Sequence, residues 1–311
     1  MLWALVAWAG THDDQVLELL TAAHGLDEAQ QAAVREVLEG SDRAGFGYDG
    51  VTEHAAHPAQ CEVARAGLLP DPVHEQVCGR PHMVPLYDPA TQSPSDATTC
   101  LDAYEFPDVP CSWPVIWVRA REAAALCEAV GKRLCDAHEW EGGCAGSLGP
   151  ADYPWTLASG DAATTQRAFR RDHNQRYAST WREGAELPAG TCATGSFKHA
   201  DCDGSDWRKC GSNTYPAGMF PDCRSPLGAY DLWGNAAEHM NLPLAPDQLA
   251  KAGGLGVTEM KGSWFVWDTI EAHEDGCRWR APYWHGGEVA ARDSHRNYHL
   301  GFRCCADVGA P

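Results

Sequence analysis

Basic residues are scarce in this 311-residue chain, which has 24 Lys and Arg against 43 Asp and Glu. The resulting formal charge of -19 repels phosphate backbones and anionic membrane surfaces, so nucleic-acid binding is largely excluded. No two cysteines are spaced as Cys-x-x-Cys, the spacing that zinc ribbons and thioredoxin-like redox sites need. After the N-terminus, no stretch approaches the roughly 20 apolar residues of a membrane span, so we expect none.

Cysteine and tryptophan are abundant by contrast, with 14 and 13 residues. An even number of cysteines without metal-site spacing predicts a disulfide-stapled protein from an oxidising compartment. Residues 1–9 fit this prediction, because their apolar run ends in Ala7-Trp8-Ala9, the small-x-small pattern of signal-peptide cleavage. We therefore expect an exported protein. A buried N-terminal strand and a misplaced start codon are the alternative interpretations of this segment.

Residues 10–94 are expected to form a lead-in to the main domain. Two short amphipathic helices are predicted over residues 13–40, the second with Asp27 as its N-cap. Residues 41–94 are rich in Gly, Pro, His and Asp, which favours irregular structure. Within that stretch, Cys61 and Cys78 are the expected local disulfide.

The main domain, residues 95–311, is predicted to be α+β with little regular structure. A strand is predicted within residues 113–118, and a helix over residues 121–130 that ends at a glycine. Asp136 and Glu139 have the spacing of a capping box, which predicts the start of a second helix. Turn residues recur every few positions from about residue 150 onward, so we expect no long helix there.

Several segments of the main domain resemble one family and keep that family's order. They are Glu122 to Leu134 with its Gly131-Lys-Arg-Leu turn, Glu139-Trp-Glu141, Tyr153-Pro-Trp155, Asp231-Leu-Trp-Gly-Asn235-Ala-Ala-Glu238, Lys261-Gly-Ser-Trp264 and Gly301-Phe-Arg303. Over about residues 97–307 the chain is thus identified as a member of the formylglycine-generating-enzyme, or sulfatase-modifying-factor, family. The resemblance implies a C-type-lectin-like α+β fold. His239 stands where the family usually has Trp.

Catalytic members of this family oxidise a peptide cysteine to formylglycine with oxygen and a copper(I) ion, which two thiolates hold in a Cys-x-x-x-x-Cys arrangement. No two cysteines of this chain are five residues apart, and Cys277 is the only one between Gly276 and Cys304. The copper pair therefore cannot be carried over. Cys277 is either one remaining thiolate, with a donor such as His285 completing the site, or the family's structural cysteine.

The resemblance favours the structural role for Cys277, because Cys144 stands where the family has the partner cysteine. It implies three disulfides, namely Cys144–Cys277, Cys127–Cys304 and Cys135–Cys305. The third follows because Cys135 and Cys305 are both extra relative to the family pattern. A different choice of partners within the adjacent pair Cys304-Cys305, or a disulfide between these two, stays open.

The resemblance also implies a structural calcium ion. Family members bind calcium near the Gly-Asn-x-x-Glu segment, and Asn235 and Glu238 match its two oxygen-bearing residues. A second candidate is the acidic loop that contains Asp201, Asp203, Ser205 and Asp206, although it lacks the Glu of an EF-hand. We expect calcium at Asn235 and Glu238 rather than in the acidic loop.

Four residues after Cys277 are the expected ligand surface, because they lie where the family has its catalytic face. They are Trp279, Tyr283, Trp284 and His285. Aromatic faces stack on sugars and on peptides, so the expected ligand is a peptide, a protein or a glycan. Most other tryptophans are expected to fill the core.

Two histidine-rich groups provide an alternative metal chemistry. The first comprises His54, His57, Cys61, Cys78 and His82 of the lead-in, and the second is the pair His295 and His299. A disulfide with solvated histidines is the favoured interpretation of the first group. A non-haem metal enzyme is the weakest of the three functional hypotheses.

The sequence therefore predicts an exported, divergent member of the formylglycine-generating family. Without the copper cysteines, the predicted role is a non-catalytic binding or accessory module. A copper- and oxygen-dependent oxidase that converts a peptide cysteine to formylglycine is the first alternative.

Overall fold

The computed structural model describes residues 12–46, 52–68, 70–180, 190–198, 213–251, 255–266, 276–281 and 287–309. Its helices are α1 (His12–His24), α2 (Glu28–Gly40), α3 (Pro58–Ala64), α4 (Pro72–Cys78), α5 (Ala120–Ala129), α6 (Ala137–Ala145) and α7 (Ala162–Arg176). Its strands are β1 (Gly45–Phe46), β2 (Met83–Leu86), β3 (Thr99–Asp102), β4 (Val115–Ile116), β5 (Arg133–Leu134), β6 (Ala237–Leu242), β7 (Val257–Lys261), β8 (Leu300–Phe302) and β9 (Cys304–Asp307). The fold is α+β with short elements, as expected.

The N-terminal helical hairpin forms as predicted. Asp27 caps α2 by accepting a hydrogen bond from the Gln30 backbone N–H at 2.8 Å, and the Gln30 side chain completes a capping box. Val34 and Leu38 of α2 are buried in one apolar cluster with Leu126 of α5. This packing joins the lead-in to the main domain.

The remainder of the lead-in is more regular than predicted, and its disulfide is a different one. Cys61 pairs with Cys111, and Cys78 pairs with Cys100, so the expected Cys61–Cys78 bridge is wrong. Tertiary contacts choose these partners. α4, which ends at Cys78, packs on β2, and Pro85 of β2 lies opposite Cys100 of β3.

Helices α5 and α6 are both confirmed. α5 ends just before Gly131, the predicted stop, and α6 begins at the predicted capping box of Asp136 and Glu139. α6 begins after Asp136, whose backbone N–H donates to Glu139 Oε2 at 2.8 Å in a capping box. The strand predicted within residues 113–118 shortens to β4, which pairs with β1 in antiparallel register.

The two C-terminal strands, β8 and β9, belong to two different larger sheets. One has the antiparallel order β2-β3-β9-β5, and in the other β6 pairs antiparallel with β7 and parallel with β8. Arg303 separates β8 from β9 and is fully buried at this change of sheet. Gly301 is needed just before it, because a Cβ there would lie 2.8 Å from the Val115 carbonyl oxygen.

The expectation of no long helix beyond residue 150 is wrong, because α7 has 15 residues. Asp161 caps it by accepting from the backbone N–H groups of Ala163 and Thr164, and no Gly or Pro interrupts it. Phe169 on its inner face packs into the main core. No helix of the described ranges is both long enough and apolar enough to cross a membrane.

Six disulfides connect the described residues. Three of them are the bridges that the resemblance implies, Cys127–Cys304, Cys135–Cys305 and Cys144–Cys277. The last of the six joins Cys192 to Cys223. The three expected bridges attach α5, β5 with the start of α6, and the end of α6 to the C-terminal part of the chain.

Candidate functional site

The segment that follows Cys277, residues 278–281, is held against two helices. The Cys144–Cys277 disulfide attaches it to α6, and His173 of α7 contacts the Arg278 carbonyl oxygen through Nε2 at 2.7 Å. Burial lowers the pKa of His173 to about 3, so its ring is neutral and Nε2 donates this hydrogen bond. The segment is therefore a fixed part of the fold.

Cys277 does not fit the role of a copper thiolate in this structure. Its sulfur is fully buried in the disulfide with Cys144, and a disulfide sulfur carries no thiolate charge. All twelve cysteines of the described ranges are paired, while Cys202 and Cys210 lie outside those ranges. His285, the expected second donor, also lies outside them. The described residues provide no thiolate pair for copper(I).

Glu238 lies at the centre of a buried ion pair. Its carboxylate accepts hydrogen bonds from Arg303 Nε at 2.7 Å, from Arg303 Nη2 at 2.6 Å and from Trp140 Nε1 at 2.7 Å. Burial raises the pKa of Glu238, although the Arg303 guanidinium opposes that shift. Arg303 also donates to the Tyr230 carbonyl oxygen. These motif residues thus form a structural support between the two sheets.

Asn235 is committed to the backbone in a similar way. Its Oδ1 accepts from the Tyr215 backbone N–H at 2.7 Å, and its Nδ2 donates to Glu105 at 2.6 Å. The oxygens of both expected calcium ligands are therefore already engaged. Beside the Asn235 oxygen lies its own Nδ2 donor, which contacts Glu105, and beside the Glu238 carboxylate lies the positively charged Arg303 guanidinium. These surroundings do not fit a divalent cation.

A second buried charge network supports the segment after Cys277. Glu141 of α6 accepts from Arg280 Nε at 2.9 Å and from Lys261 Nζ at 3.2 Å, and His173 Nε2 lies 3.3 Å away. Burial opposes ionisation of Glu141, but Arg280 outweighs it and holds the pKa well below its usual range. Lys261 also donates to the Trp279 carbonyl oxygen. The Trp279 carbonyl is therefore held by a charged group, and the Arg280 side chain next to it is held by Glu141.

Trp279 is the one member of the expected ligand surface that lies in the described ranges. Tyr283, Trp284 and His285 lie outside them. Trp279 is half-buried and lines a cavity of about 250 Å³. The other residues around this cavity are Arg167, Arg170, Arg171, Asn174, Arg280 and Ala281. Apart from Trp279, the sequence analysis did not connect these residues with a site.

The arginines of α7 are the functional candidates that sequence reasoning missed. Arg167, Arg170, Arg171 and Asn174 recur at intervals of three and four residues, which places them on one face of a helix. That periodicity is visible in the sequence once residues 162–176 are taken as a helix. The expectation of irregular structure beyond residue 150 concealed it.

The histidine-rich groups are not metal sites built on thiolates. Cys61 and Cys78 belong to separate disulfides, and His54 stacks on Tyr215 with ring centroids 4.2 Å apart. His299 stacks on Trp264 at the same centroid distance. The acidic loop at residues 201–206 lies outside the described ranges, and His295 is partly buried.

His239, which replaces the family's usual Trp, fits its site as a neutral ring. It is fully buried, and its nitrogens contact Thr258 Oγ1 at 3.0 Å and the Val118 carbonyl oxygen at 3.1 Å. Burial lowers the pKa of His239 to about 3. The replacement therefore places a hydrogen-bonded core residue beside Glu238.

Comparison with known proteins agrees with the resemblance. A family model described as the sulfatase-modifying factor enzyme 1-like domain matches residues 91–308. A solved structure titled "Crystal Structure of CarF" is similar at 12% identity, covering 68% of this chain and 86% of that chain with a TM-score of 0.32. No curated protein matches the sequence. With more than half of its length matched by the family model, the chain belongs to the sulfatase-modifying-factor, or formylglycine-generating-enzyme-like, family.

Proposed function

We propose that this chain is an exported binding module built on the formylglycine-generating scaffold, and that it does not oxidise peptide cysteines. The carrying observation is the disulfide between Cys144 and Cys277, which commits to structure the one cysteine of the family's catalytic region. Copper(I) in this family is held by two thiolates, and this chain has no Cys-x-x-x-x-Cys pair to supply them.

Export is supported by the same chemistry. Six disulfides persist in an oxidising compartment and are rare where thiols are kept reduced. The apolar segment at residues 1–9 has the composition of a signal peptide, although it lies outside the described ranges. Fractionation of the natural host should therefore recover the chain outside the cytoplasm, with residues 1–9 removed.

The decisive experiment offers the purified, disulfide-intact protein a peptide that contains Cys-x-Pro-x-Arg, with copper(I) and air. We expect no formylglycine aldehyde by mass spectrometry. Two controls identify the source of any activity that appears, Cys277→Ser and the double variant Cys202→Ser/Cys210→Ser. Turnover by the wild type that is lost in either control would replace the binding module with an oxidase.

A thiol titration provides an independent check. An oxidase of this type needs at least one reactive thiolate, whereas a binding module needs none. Unfolding the protein in denaturant without reductant should expose no thiol from the twelve paired cysteines. Reactivity at Cys277 in a peptide map would contradict the proposed commitment of that residue.

A further inference from the structure

The cavity beside Trp279 concentrates positive charge on a strongly acidic protein. Four of the seven residues that line it are arginines and none is acidic, although the whole chain has 43 acidic residues against 24 basic ones. A concave surface lined by one sign of charge raises the local concentration of ions of the opposite sign. The cavity is therefore a local exception to the protein's overall repulsion of anions.

The walls of the cavity are fixed by hydrogen bonds between α7 and the segment after Cys277. Asn174 binds the backbone of Arg280 twice, donating from Nδ2 to its carbonyl oxygen and accepting its N–H at Oδ1, both at 3.0 Å. Glu259 of β7 accepts from Arg170 Nε and from the Ala281 backbone N–H, both at 2.7 Å. Arg170 and Arg280 are thus held in the cavity lining by hydrogen bonds within the protein.

The two buried arginines each retain an unused donor. Arg170 is 4% exposed and Arg280 is 2% exposed, yet Nη1 of each has no hydrogen-bond partner among the described residues. Their other nitrogens are engaged by Glu259, Glu141 and the Thr258 carbonyl oxygen. A buried donor without an acceptor costs about 1–3 kcal/mol, so an anionic acceptor that enters the cavity far enough to contact these atoms would stabilise both groups.

The charge balance also favours an anion. Behind the cavity, the carboxylates that pair with Arg170, Arg280 and Lys261 within the described ranges are those of Glu141 and Glu259. The nearby His173 is neutral, because burial lowers its pKa to about 3. The exposed guanidiniums of Arg167 and Arg171 add positive charge to the lining. Among the residues that the structure describes, the three cations Arg170, Arg280 and Lys261 outnumber the two carboxylates that pair with them.

We propose that this cavity binds an oxyanion group of a small ligand, with Arg170 and Arg280 donating to its oxygens, Arg171 at the exposed rim and Trp279 against the ligand body. This assignment rests on the proposed function and gives the binding module its ligand class. A carboxylate, a phosphate and a sulfate all present the oxygen acceptors that guanidinium donors bind. The cavity volume of about 250 Å³ suits such a group with a short attached body.

The test is isothermal titration of the disulfide-intact protein with inorganic phosphate, inorganic sulfate and acetate in chloride-free buffer. At least one of the three should bind saturably. Arg170→Lys retains a cation for Glu259 but lacks the guanidinium Nη1, and we expect it to weaken binding at least about tenfold. Its unfolding curve shows whether the core survives the change.

An exposed pair of variants keeps the test valid if the core variant fails to fold. Arg171→Glu reverses the charge at the rim, and Arg292→Glu makes the same change at an exposed arginine that does not line the cavity. We expect Arg171→Glu to lower the affinity at least about fivefold and Arg292→Glu to leave it unchanged. Equal losses in both variants would overturn the site, because they would show only a response to net charge.

Trp279 has a separate readout. If its ring contacts the ligand body, phenyl phosphate should bind more tightly than inorganic phosphate, since stacked rings add favourable contact. Trp279→Ala should abolish that preference, so that the variant binds phenyl phosphate and inorganic phosphate with equal affinity. An equal affinity of the wild type for both compounds would overturn the role of Trp279.

Failure of this inference is distinguishable from failure of the proposed function. Absence of saturable binding by all three anions to the wild type would refute the oxyanion site, while the peptide assay could still show no aldehyde. Aldehyde formation by a protein that also binds anions would instead overturn the non-catalytic function and leave the cavity assignment intact.

Discussion

The sharpest stability prediction concerns the buried ion pair between Glu238 and Arg303. Glu238→Gln keeps the size of the side chain and removes its charge, which leaves the buried Arg303 guanidinium without the carboxylate that it binds directly. Glu238 is 1% exposed and Arg303 is 0% exposed, so water cannot replace the lost interaction. The substitution should therefore be far more damaging than removal of an exposed ion pair.

The expected loss is large because three hydrogen bonds converge on this carboxylate from Arg303 alone, at 2.6, 2.7 and 2.9 Å. Breaking a buried pair by removing one partner costs about 3–5 kcal/mol. Exposed pairs are worth only about 0.2–1 kcal/mol. Arg35→Gln is the matched control, because its ion pair with Asp14 lies on the surface and has side chains 42% and 38% exposed.

The assay is urea unfolding followed by circular dichroism with all disulfides intact, with and without a calcium chelator. We expect Glu238→Gln to lower the free energy of unfolding by about 3–5 kcal/mol in both conditions. A loss below about 1 kcal/mol, comparable to that of Arg35→Gln, would refute the reasoning. A stabilising effect of calcium on the wild type that Glu238→Gln removes would instead restore the calcium site expected at Asn235 and Glu238.

Further predictions concern the disulfide, the pH response and the metal. Replacing Cys144 and Cys277 by Ser should lower the free energy of unfolding by about 2–5 kcal/mol in denaturant curves, and a non-reducing peptide map that finds both thiols free would contradict the bridge. Burial raises the pKa of Glu139, but Arg133 outweighs that effect and lowers it from 4.5 to about 2. The stability from this pair should be complete above pH 4.5 and lost as pH falls through about 2, and unfolding curves of Glu139→Gln should lack that acid-dependent loss. Chelator alone should leave the melting temperature of the wild type unchanged, and a drop would show a stabilising ion.

Local signals in the sequence were sufficient for several helices. The capping boxes at Asp27 and at Asp136 with Glu139 involve residues three positions apart, so their chemistry is complete before any tertiary contact forms. The long helix α7 had a comparable signal in Asp161, followed by residues without Gly or Pro, and the frequent turn residues around it obscured that signal.

The disulfides that were predicted from the family resemblance are correct, and the one predicted from sequence proximity is wrong. Family position implied the three bridges to the C-terminal part of the chain, and the structure has the same three. Proximity in sequence was the only guide to Cys61 and Cys78, and it was wrong. Cys78 lies beside Cys100 because α4 packs on β2, which pairs with β3, and this contact is a property of the folded chain.

By itself, the sequence determined the family, the short-element α+β fold and the absence of the copper cysteine pair, because each depends on residue identity and order along the chain. Only the tertiary structure decided what the polar residues do. It pairs Glu238 with Arg303, whereas the family resemblance implied that Glu238 binds calcium. Burial and the guanidinium partner depend on residues 65 positions apart in the sequence. It also brought Arg170 and Arg280, 110 positions apart in the numbering, to one cavity. Convergence of this kind follows from the packing of α7 on the segment after Cys277, which no local pattern specifies.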